Sequence, residues 1–357
     1  MRLRGLRIPS VSRLGGGDDI AMASGRLTIE PGKILIIKPS SLGDILHSLP
    51  FLNAVKSRFP RAVIHWVVAK GFEGLLAEHP MIDHLWVINK DAWKKIRHLK
   101  GTIGELQSLF GNLRKERYDL VVDLQGLLRS GIITAATASP MRVGFKEARE
   151  GSNVFYTDRI KGGKDIHAVD RYLKMADYLG CDTSEISFPF PALPDEIPMY
   201  EANEPYAVII PGARWETKRW PPEKFGKLAS LLPLKSVIVG GKGDRAIAEE
   251  VGSSSKGKAS SLAGKTSLQE LAGILKNARL VICNDSGPMH IAAALGIPVF
   301  AVFGPTDPVR TGPYGKGHSI IRSDVVCAPC FKKRCADMKC MKDLSVAKVL
   351  DAIKGRL

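Results

Sequence analysis

The chain has 357 residues, of which 45% are hydrophobic and 25% are charged, a balance typical of globular proteins that bury a sizeable apolar core. Its 52 Lys and Arg residues outnumber 36 Asp and Glu residues, so the net charge is +16. We therefore expect an acidic partner: nucleic acid, an anionic membrane surface or a phosphorylated substrate. No apolar run reaches the roughly 18 residues that a membrane-spanning helix requires.

Residues 1–30 are basic and rich in glycine, and they lack the apolar stretch of a secretory signal. We interpret them as a disordered or additional N-terminal segment and expect a cytoplasmic protein. Six cysteines in such a protein are reduced or metal-bound more often than they are paired in disulfides.

Strand-like and helix-like segments alternate in the first half of the chain, which is typical of a parallel sheet. Strands are predicted at Lys33–Lys38, Val63–Ala69, His84–Asn89, Asp119–Leu124 and Met141–Phe145. Helices are predicted at Gly43–Phe59, Ile103–Lys115, Leu127–Ala138 and Val169–Leu179.

The same alternation restarts after a proline-rich stretch. Strands are predicted at Tyr206–Gly212, Ser236–Gly241, Leu280–Asn284, Pro298–Phe303 and Ser319–Arg322. The pattern predicts an α/β fold with two Rossmann-like parallel-sheet domains facing a central cleft. We place the first domain at 31–190, a linker at 191–204, the second domain at 205–342, and a C-terminal helix at 343–357 that packs back on the first domain.

Asp44 stands at the turn between the first predicted strand and its helix, and Gly43 precedes it. In open α/β sheets this turn lies at the carboxyl edge of the strands, where ligands bind. Asp44 is therefore a candidate catalytic carboxylate, and a helix cap is the alternative interpretation. Ser41 and His47 flank it and are candidate contacts to an acceptor substrate.

Two further segments of the first half are candidate acceptor contacts. Gln125 and Arg129 follow the strand that ends near Asp123 and are expected to face the cleft, although a capped helix start explains them about as well. A basic run supplies Lys94, Lys95 and Arg97, which suit an anionic acceptor; such runs are more usually solvated faces.

The second half has three polar turns at predicted strand ends. Arg214 and Lys218 follow the first of its strands and suit a diphosphate, since Lys supplies a point charge and Arg a two-pronged donor. Gly241 lies in a glycine-rich turn that is a weak nucleotide signal. The third turn leads into a helix start, where backbone N–H groups attract phosphate; it contains Asp285, Ser286, Gly287 and His290. Helix capping is the alternative for Asp285 or Ser286 taken singly.

Four cysteines cluster near the C-terminus with spacing that begins as a metal-ligand pair. A structural zinc or iron–sulfur site is one interpretation, and a disulfide pair in purified protein is the other. The four are Cys327, Cys330, Cys335 and Cys340.

Taken together, these motifs resemble those of the lipopolysaccharide heptosyltransferases of glycosyltransferase family 9, and the type I branch in particular. The resemblance rests on residues 38–50, 123–130, 218–221 and 285–290, and it extends from about Gly32 to the C-terminus. It implies a GT-B fold of two Rossmann-like domains. The implied reaction is inverting, metal-independent transfer of heptose from ADP-L-glycero-D-manno-heptose to a Kdo residue of the lipid A inner core.

The resemblance also implies site roles and a setting. Asp44 falls on the catalytic base, and Lys218, Asp285, Ser286, Gly287 and His290 fall on donor-site positions. No cofactor is required for catalysis, and the protein is expected to contact the cytoplasmic face of the inner membrane peripherally. Alternatives are another family 9 transferase, with a different donor or a type II acceptor, and a basic, metal-clipped nucleic-acid-binding protein. The latter leaves the polar strand-end turns unexplained and has no nucleic-acid signature, so we expect no nucleic-acid partner.

Overall fold

The computed structural model describes residues 30–89, 99–163, 165–194, 197 and 204–357. Residues 1–29, part of the predicted linker, and the acceptor candidates Lys94, Lys95 and Arg97 lie outside the described residues.

The first half of the chain forms a parallel sheet. Its strands are β1 (Lys33–Ile37), β2 (Val63–Ala69), β3 (His84–Ile88), β4 (Leu120–Asp123), β5 (Met141–Phe145) and β6 (Asp158–Ile160), in the spatial order β3-β2-β1-β4-β5-β6. Its helices are α1 (Leu42–His47), α2 (Leu49–Arg58), α3 (Leu99–Lys115), α4 (Leu128–Ala136) and α5 (Ala168–Tyr178). The inner strands are buried on both faces, as expected where helices cover a parallel sheet.

The second half repeats this plan. Its strands are β7 (Tyr206–Ile210), β8 (Lys235–Ile238), β9 (Ala259–Ser261), β10 (Leu280–Asn284), β11 (Val299–Val302) and β12 (Ser319–Ile321), in the order β12-β11-β10-β7-β8-β9. Its helices are α6 (Pro222–Leu231), α7 (Arg245–Ser254), α8 (Leu268–Lys276), α9 (Gly287–Ala294), α10 (Pro308–Thr311), α11 (Lys339–Lys342) and α12 (Val346–Lys354). The prediction of two Rossmann-like parallel sheets is confirmed.

Each sheet has one position at which the strand order reverses, and ligands bind beyond the strand ends at that position. In the first sheet it lies between β1 and β4, where Ile37 pairs with Asp123. In the second it lies between β7 and β10, where Ile210 pairs with Cys283. The Asn284 side chain fixes the loops there, because it donates to the Pro211 carbonyl at 2.8 Å and accepts from the Trp220 backbone N–H at 3.0 Å.

The single helix predicted over Gly43–Phe59 is wrong in one respect, because the chain forms two helices, α1 and α2, separated at Ser48. Pro50 lies at the start of α2 and has no N–H to continue the hydrogen bonds of α1. The Ser48 hydroxyl instead donates to the Ile45 carbonyl at 2.7 Å. Helix α1 is therefore a short, separate element that carries Asp44.

The two halves meet where α1 packs against α9. A Cβ atom added to Gly43 would lie 2.4 Å from His290 Cδ2, and one added to Gly287 would lie 2.8 Å from Leu42 Cδ2. One buried apolar cluster continues across this contact from the first sheet to the second. The helices approach so closely because each presents a glycine to the other.

The C-terminal helix was predicted to pack back on the first domain, and the structure corrects this. Helix α12 packs against α6, β11 and β12 of the second half. Its residues Val349 and Ile353 are fully buried in the same apolar cluster as Trp220 and Phe225. The apolar face of α12 therefore completes the outer layer of the second sheet. In the part of the chain that the structure describes, no helix combines the length and apolarity needed to cross a bilayer.

Replacing Gly43 with Ala is expected to lower the free energy of unfolding by about 1–3 kcal/mol, because the new methyl group overpacks a buried contact. The measurement is chemical denaturation monitored by fluorescence. Gly252→Ala is the control, since Gly252 lies inside α7 with open space around its Cα. A Gly43→Ala protein as stable as the control would contradict the close crossing of α1 and α9.

Candidate active site

Asp44 lies in the first turn of α1, directly beyond the carboxyl end of β1. Its Oδ2 accepts two hydrogen bonds from Ser41, one from the backbone N–H at 3.0 Å and one from the hydroxyl at 2.7 Å. Its Oδ1 lies 4.0 Å from Lys38 Nζ, and 39% of the side chain is exposed. Ser41, a predicted acceptor contact, therefore also orients the carboxylate.

The neighbours of Asp44 keep it ionised. Burial opposes ionisation, but the Lys38 ammonium and the two hydrogen bonds from Ser41 outweigh it and hold the pKa of Asp44 below its ordinary value. An ionised, partly exposed carboxylate at a ligand-binding edge is able to accept a proton from a bound hydroxyl.

Lys38 is a site residue to which the sequence analysis gave no role. It is only 3% exposed, its Nζ donates to the Leu124 carbonyl at 3.2 Å, and the same atom lies 5.0 Å from the centroid of the Tyr172 ring. Burial works against its charge, but Tyr172 and Asp44 more than compensate, so its pKa is raised. The sequence does contain a signal for Lys38, because it is a cation at the end of an otherwise apolar buried strand.

A cavity of about 460 Å³ opens beside Asp44. Gln125, a predicted acceptor contact, lines it and accepts a hydrogen bond from the Ser40 backbone N–H at 3.3 Å. Arg129, also predicted, is exposed on α4 and does not line this cavity. The charged residues of the lining are Lys38, Asp44, Glu147, Arg149, Arg171 and Arg310. Cations outnumber anions in this lining, so the cavity favours an anionic ligand.

The second half contributes an ion pair at its own strand ends. Lys218 Nζ lies 2.6 Å from Asp285 Oδ2, and the Thr306 hydroxyl donates to the same oxygen at 2.6 Å. Lys218 also lies 4.7 Å from the centroid of the Trp215 ring. The structure thus brings together two predicted donor-site residues, Lys218 and Asp285. The structure adds Thr306 to this site. Thr306 was not identified from the sequence, because only charged groups were sought there and Thr306 is uncharged.

The start of α9 carries a buried hydroxyl without a hydrogen-bond partner among the described residues. Ser286 is its N-cap residue, yet its side chain makes no capping hydrogen bond, so the capping alternative for Ser286 is not what the structure shows. The Ser286 hydroxyl is buried and has no hydrogen-bond partner among the described residues. A hydroxyl and backbone N–H groups left unsatisfied at the positive end of a helix are suited to phosphate.

Arg214 and Gly241 lie at the same edge of the second sheet. Arg214 is exposed in the loop after β7. The Gly241 N–H donates to Asp244 Oδ2 at 2.8 Å. A Cβ atom on Gly212 would lie 2.5 Å from that carboxyl group, so the two glycine turns pack closely around Asp244.

Three histidines meet where the two halves touch. His47 Nε2 lies 3.0 Å from His290 Nδ1, and the His47 ring centroid lies 4.9 Å from that of His167. His47 and His290 are buried, and His47 Nδ1 has no partner among the residues described. His47 is therefore at the contact between the halves and not on the cavity wall where its predicted acceptor role would place it.

Burial keeps these histidines neutral. Burial lowers the pKa of His290 to about 4; the adjacent His167 adds to this effect and the Asp285 carboxylate opposes it. The pKa of His47 is likewise lowered well below its usual range by burial and by its two histidine neighbours. A proton taken up here would place a charge inside the contact between the halves.

The four clustered cysteines are free thiols: Cys327, Cys330 and Cys335 lie on a loop that packs over the second half, and Cys340 is buried in α11. The Cys330 N–H donates to the Pro305 carbonyl at 3.0 Å, and the Thr217 hydroxyl donates to the Lys332 carbonyl at 2.8 Å. Within the described ranges, no three His, Cys, Asp or Glu side chains are arranged to hold a metal ion. The metal site at Cys327, Cys330, Cys335 and Cys340 stays a prediction.

Comparisons with known proteins agree with this geometry. A model of glycosyltransferase family 9 (heptosyltransferase) matches residues 106–341. Lipopolysaccharide heptosyltransferase 1 of Pseudomonas aeruginosa is 32% identical over 85% of this chain and 87% of its own length. Lipopolysaccharide heptosyltransferase 2 of Salmonella typhimurium is 28% identical over 81% of this chain and 88% of its own.

Among solved structures, E. coli heptosyltransferase WaaC with ADP-2-deoxy-2-fluoro heptose superposes with a TM-score of 0.75. It is 26% identical and covers 91% of this chain and 100% of its own. The fold is thus the GT-B arrangement that the motifs implied, and the chain is a glycosyltransferase. It belongs to glycosyltransferase family 9, the heptosyltransferases. Membership of an enzyme family disfavours the alternative of a nucleic-acid-binding protein.

Replacing Lys38 with Met is expected to raise the pKa of Asp44, because the mutation removes the main group that favours its charge. The acidic limb of the profile of kcat/KM against pH then moves to higher pH. Lys33→Met is the control, since Lys33 lies at the opposite end of β1 and pairs with Glu116 at 2.9 Å. An unchanged acidic limb in Lys38→Met would show that Lys38 does not set the charge of Asp44.

Acidification is expected to destabilise the fold between about pH 6.5 and 4. In this window the unfolded chain protonates His290 while the folded chain does not, so stability falls as pH falls. The difference is about 2 kcal/mol between pH 7 and pH 5. Urea unfolding of the wild type and of His290→Gln at both pH values measures it. An equal loss in both proteins would assign the effect to other groups.

Proposed function

We propose that the enzyme transfers L-glycero-D-manno-heptose from ADP-L-glycero-D-manno-heptose to a Kdo residue of the lipid A inner core, with inversion and without a catalytic metal. The observation that carries the proposal is the placement of ionised Asp44 between two sites. One is the cation-lined cavity of the first half, and the other is the phosphate-suited helix start of the second half.

In this reaction the acceptor hydroxyl attacks the anomeric carbon and loses its proton to Asp44. A carboxylate with a low pKa is a weak base, and this is sufficient when proton loss comes late, after bond formation has made the attacking oxygen acidic. Attack from one side of the sugar with departure of the nucleotide from the other inverts the anomeric centre.

The leaving group is ADP, whose developing charge must be stabilised. The second half offers Lys218, Arg214 and the start of α9 with Ser286 for this purpose. Asp285 holds the Lys218 ammonium in position, and the Thr306 hydroxyl in turn holds Asp285. Because fixed donors and cations are already at the site, we propose that no metal is required; activity that persists in EDTA is the corresponding expectation.

The acceptor is an acidic sugar on a phosphorylated lipid, and the cavity beside Asp44 supplies the matching positive charge. The overall net charge of +16 suits peripheral contact with an anionic membrane surface. We therefore propose that the enzyme works at the cytoplasmic face of the inner membrane. The similarity to heptosyltransferase 2 of Salmonella typhimurium keeps an already heptosylated acceptor as the second candidate.

Incubation with a panel of nucleotide sugars tests donor and acceptor together. Kdo-lipid A and its heptosylated form are offered separately, and product masses are read by mass spectrometry. The proposal expects a heptose added to Kdo-lipid A from the ADP sugar. Transfer only to the heptosylated form would select the type II reaction, and no transfer from any heptose donor would refute the proposal.

Asp44→Asn is expected to lower kcat by about 10²–10⁴-fold, the usual contribution of a general base. The amide keeps the shape of the side chain but does not accept the proton. ADP binding, measured by calorimetry, should stay close to that of the wild type because Asp44 lies on the acceptor side. Turnover within a few-fold of the wild type would remove Asp44 from the role of base.

A further inference from the structure

Three guanidinium groups converge on the cavity beside Asp44 from three separate elements. Arg149 lies in the loop after β5, Arg171 on α5, and Arg310 on α10. Like charges repel, so their gathering in one cavity is unfavourable unless an anion is bound between them. The first two belong to the first half of the chain, whereas Arg310 is supplied by the second.

The carboxylate of Glu147, which also lines the cavity, forms no ion pair with these guanidinium groups in the described part of the chain. Glu147 accepts hydrogen bonds from the Gly162 and Gly163 backbone N–H groups at 3.0 and 3.2 Å, which engage both of its oxygens. Within the described residues, none of the three guanidinium groups forms an ion pair within 4.0 Å of a carboxylate. The cavity therefore retains positive charge.

Arg171 packs against an aromatic ring and has a buried donor without a partner among the described residues. Its guanidinium lies 4.0 Å from the centroid of the Phe145 ring, and its Nε is buried without a partner in the described part of the chain. Gly162 makes room for it, since a Cβ atom there would lie 2.7 Å from Nε. Burial lowers the pKa of Arg171; Tyr172 and Glu147 oppose this shift, and repulsion from Arg310 and Arg149 adds to it.

Arg310 is connected to the donor site through a short segment. Asp307 caps α10 by accepting from the Val309 N–H at 3.0 Å, which fixes the turn that carries Arg310. Thr306, the residue before this cap, donates to Asp285, the partner of Lys218. Arg310 thus lies four residues after Thr306, which holds the carboxylate that orients the donor-site lysine.

We propose that Arg149, Arg171 and Arg310 form an anion subsite for the acceptor, and that Arg310 makes acceptor binding depend on the second half of the chain. The inference rests on the proposed function, since it names the part of the acceptor that this cavity binds. The recognised chemistry is an oxyanion with two or more acceptor oxygens, either the sugar-acid carboxylate or a lipid A phosphate. Guanidinium groups bind both in a two-pronged manner.

The test is steady-state kinetics of heptose transfer to Kdo-lipid A by Arg310→Gln and Arg310→Lys. Loss of a hydrogen bond to a charged group predicts that Arg310→Gln raises the acceptor KM by roughly tenfold or more. Arg310→Lys should restore part of that loss, because it keeps the charge. The Kd for ADP should be unaffected. Arg279→Gln is the matched control, since Arg279 is exposed where β10 begins, at the opposite edge of the sheet.

Two modified acceptors identify the anion that is read. If the anion is the carboxylate, the wild type has a higher KM for the carboxyl methyl ester of the acceptor than for the unmodified acceptor, and Arg310→Gln does not raise that KM further. If the anion is a phosphate, the same result is expected with dephosphorylated Kdo-lipid A in place of the ester. An acceptor KM in Arg310→Gln equal to that of Arg279→Gln, with transfer intact, would overturn the inference and leave the proposed function standing.

A direct binding measurement tests the subsite in the opposite case, in which the wild type transfers no heptose. Free Kdo and, separately, inorganic phosphate are titrated into each variant and followed by NMR, which needs no turnover. Weaker binding of either probe to Arg310→Gln than to Arg279→Gln supports the subsite even if the wild type transfers no heptose. Equal binding of both probes to the two variants, in an enzyme that also shows no transfer, would refute both proposals.

Discussion

The close crossing of α1 on α9 is the contact on which the rest of the site depends. The His290 side chain packs against Gly43 and the Leu42 side chain against Gly287, so the two helix starts approach each other closely. Each helix begins where the strand order of its own sheet reverses. The crossing therefore joins the two ligand-binding edges directly, because α1 carries Asp44 and α9 carries the helix start suited to phosphate.

The two sheets share one strand order but carry opposite chemistry. In the first, a buried cation supports an exposed carboxylate: Lys38 keeps Asp44 ionised. In the second, a buried carboxylate supports a partly exposed cation, since Asp285 holds Lys218 at 2.6 Å and Thr306 holds Asp285. Each half thus uses an internal counter-charge to fix the group that it presents to the cleft. This symmetry of electrostatic roles accompanies the symmetry of the fold.

Much of this architecture was predictable because inner parallel strands are continuous apolar runs, and β2, β5 and β10 were predicted with the bounds that the structure has. The short edge strands β6 (Asp158–Ile160) and β9 (Ala259–Ser261) were missed, since three mostly polar residues carry no periodicity.

Asp44, Lys218 and the segment 285–290 were found because they follow strand ends. Arg171, Arg310 and Thr306 were missed because only tertiary packing brings them to the cleft. His47 was assigned to the acceptor from the sequence, and its burial against His290 was missed, because that burial depends on how the two halves meet.

The hydrogen bonds of Ser41 have a consequence for the chemistry of Asp44. They occupy Oδ2, and Oδ1 remains for the substrate. A carboxylate with a single available oxygen accepts a proton from one direction only. A sugar acceptor carries several hydroxyl groups of similar acidity, so base strength does not choose among them. In the proposed reaction, the regiochemistry of the new glycosidic bond follows from the angle at which each hydroxyl group reaches that one oxygen.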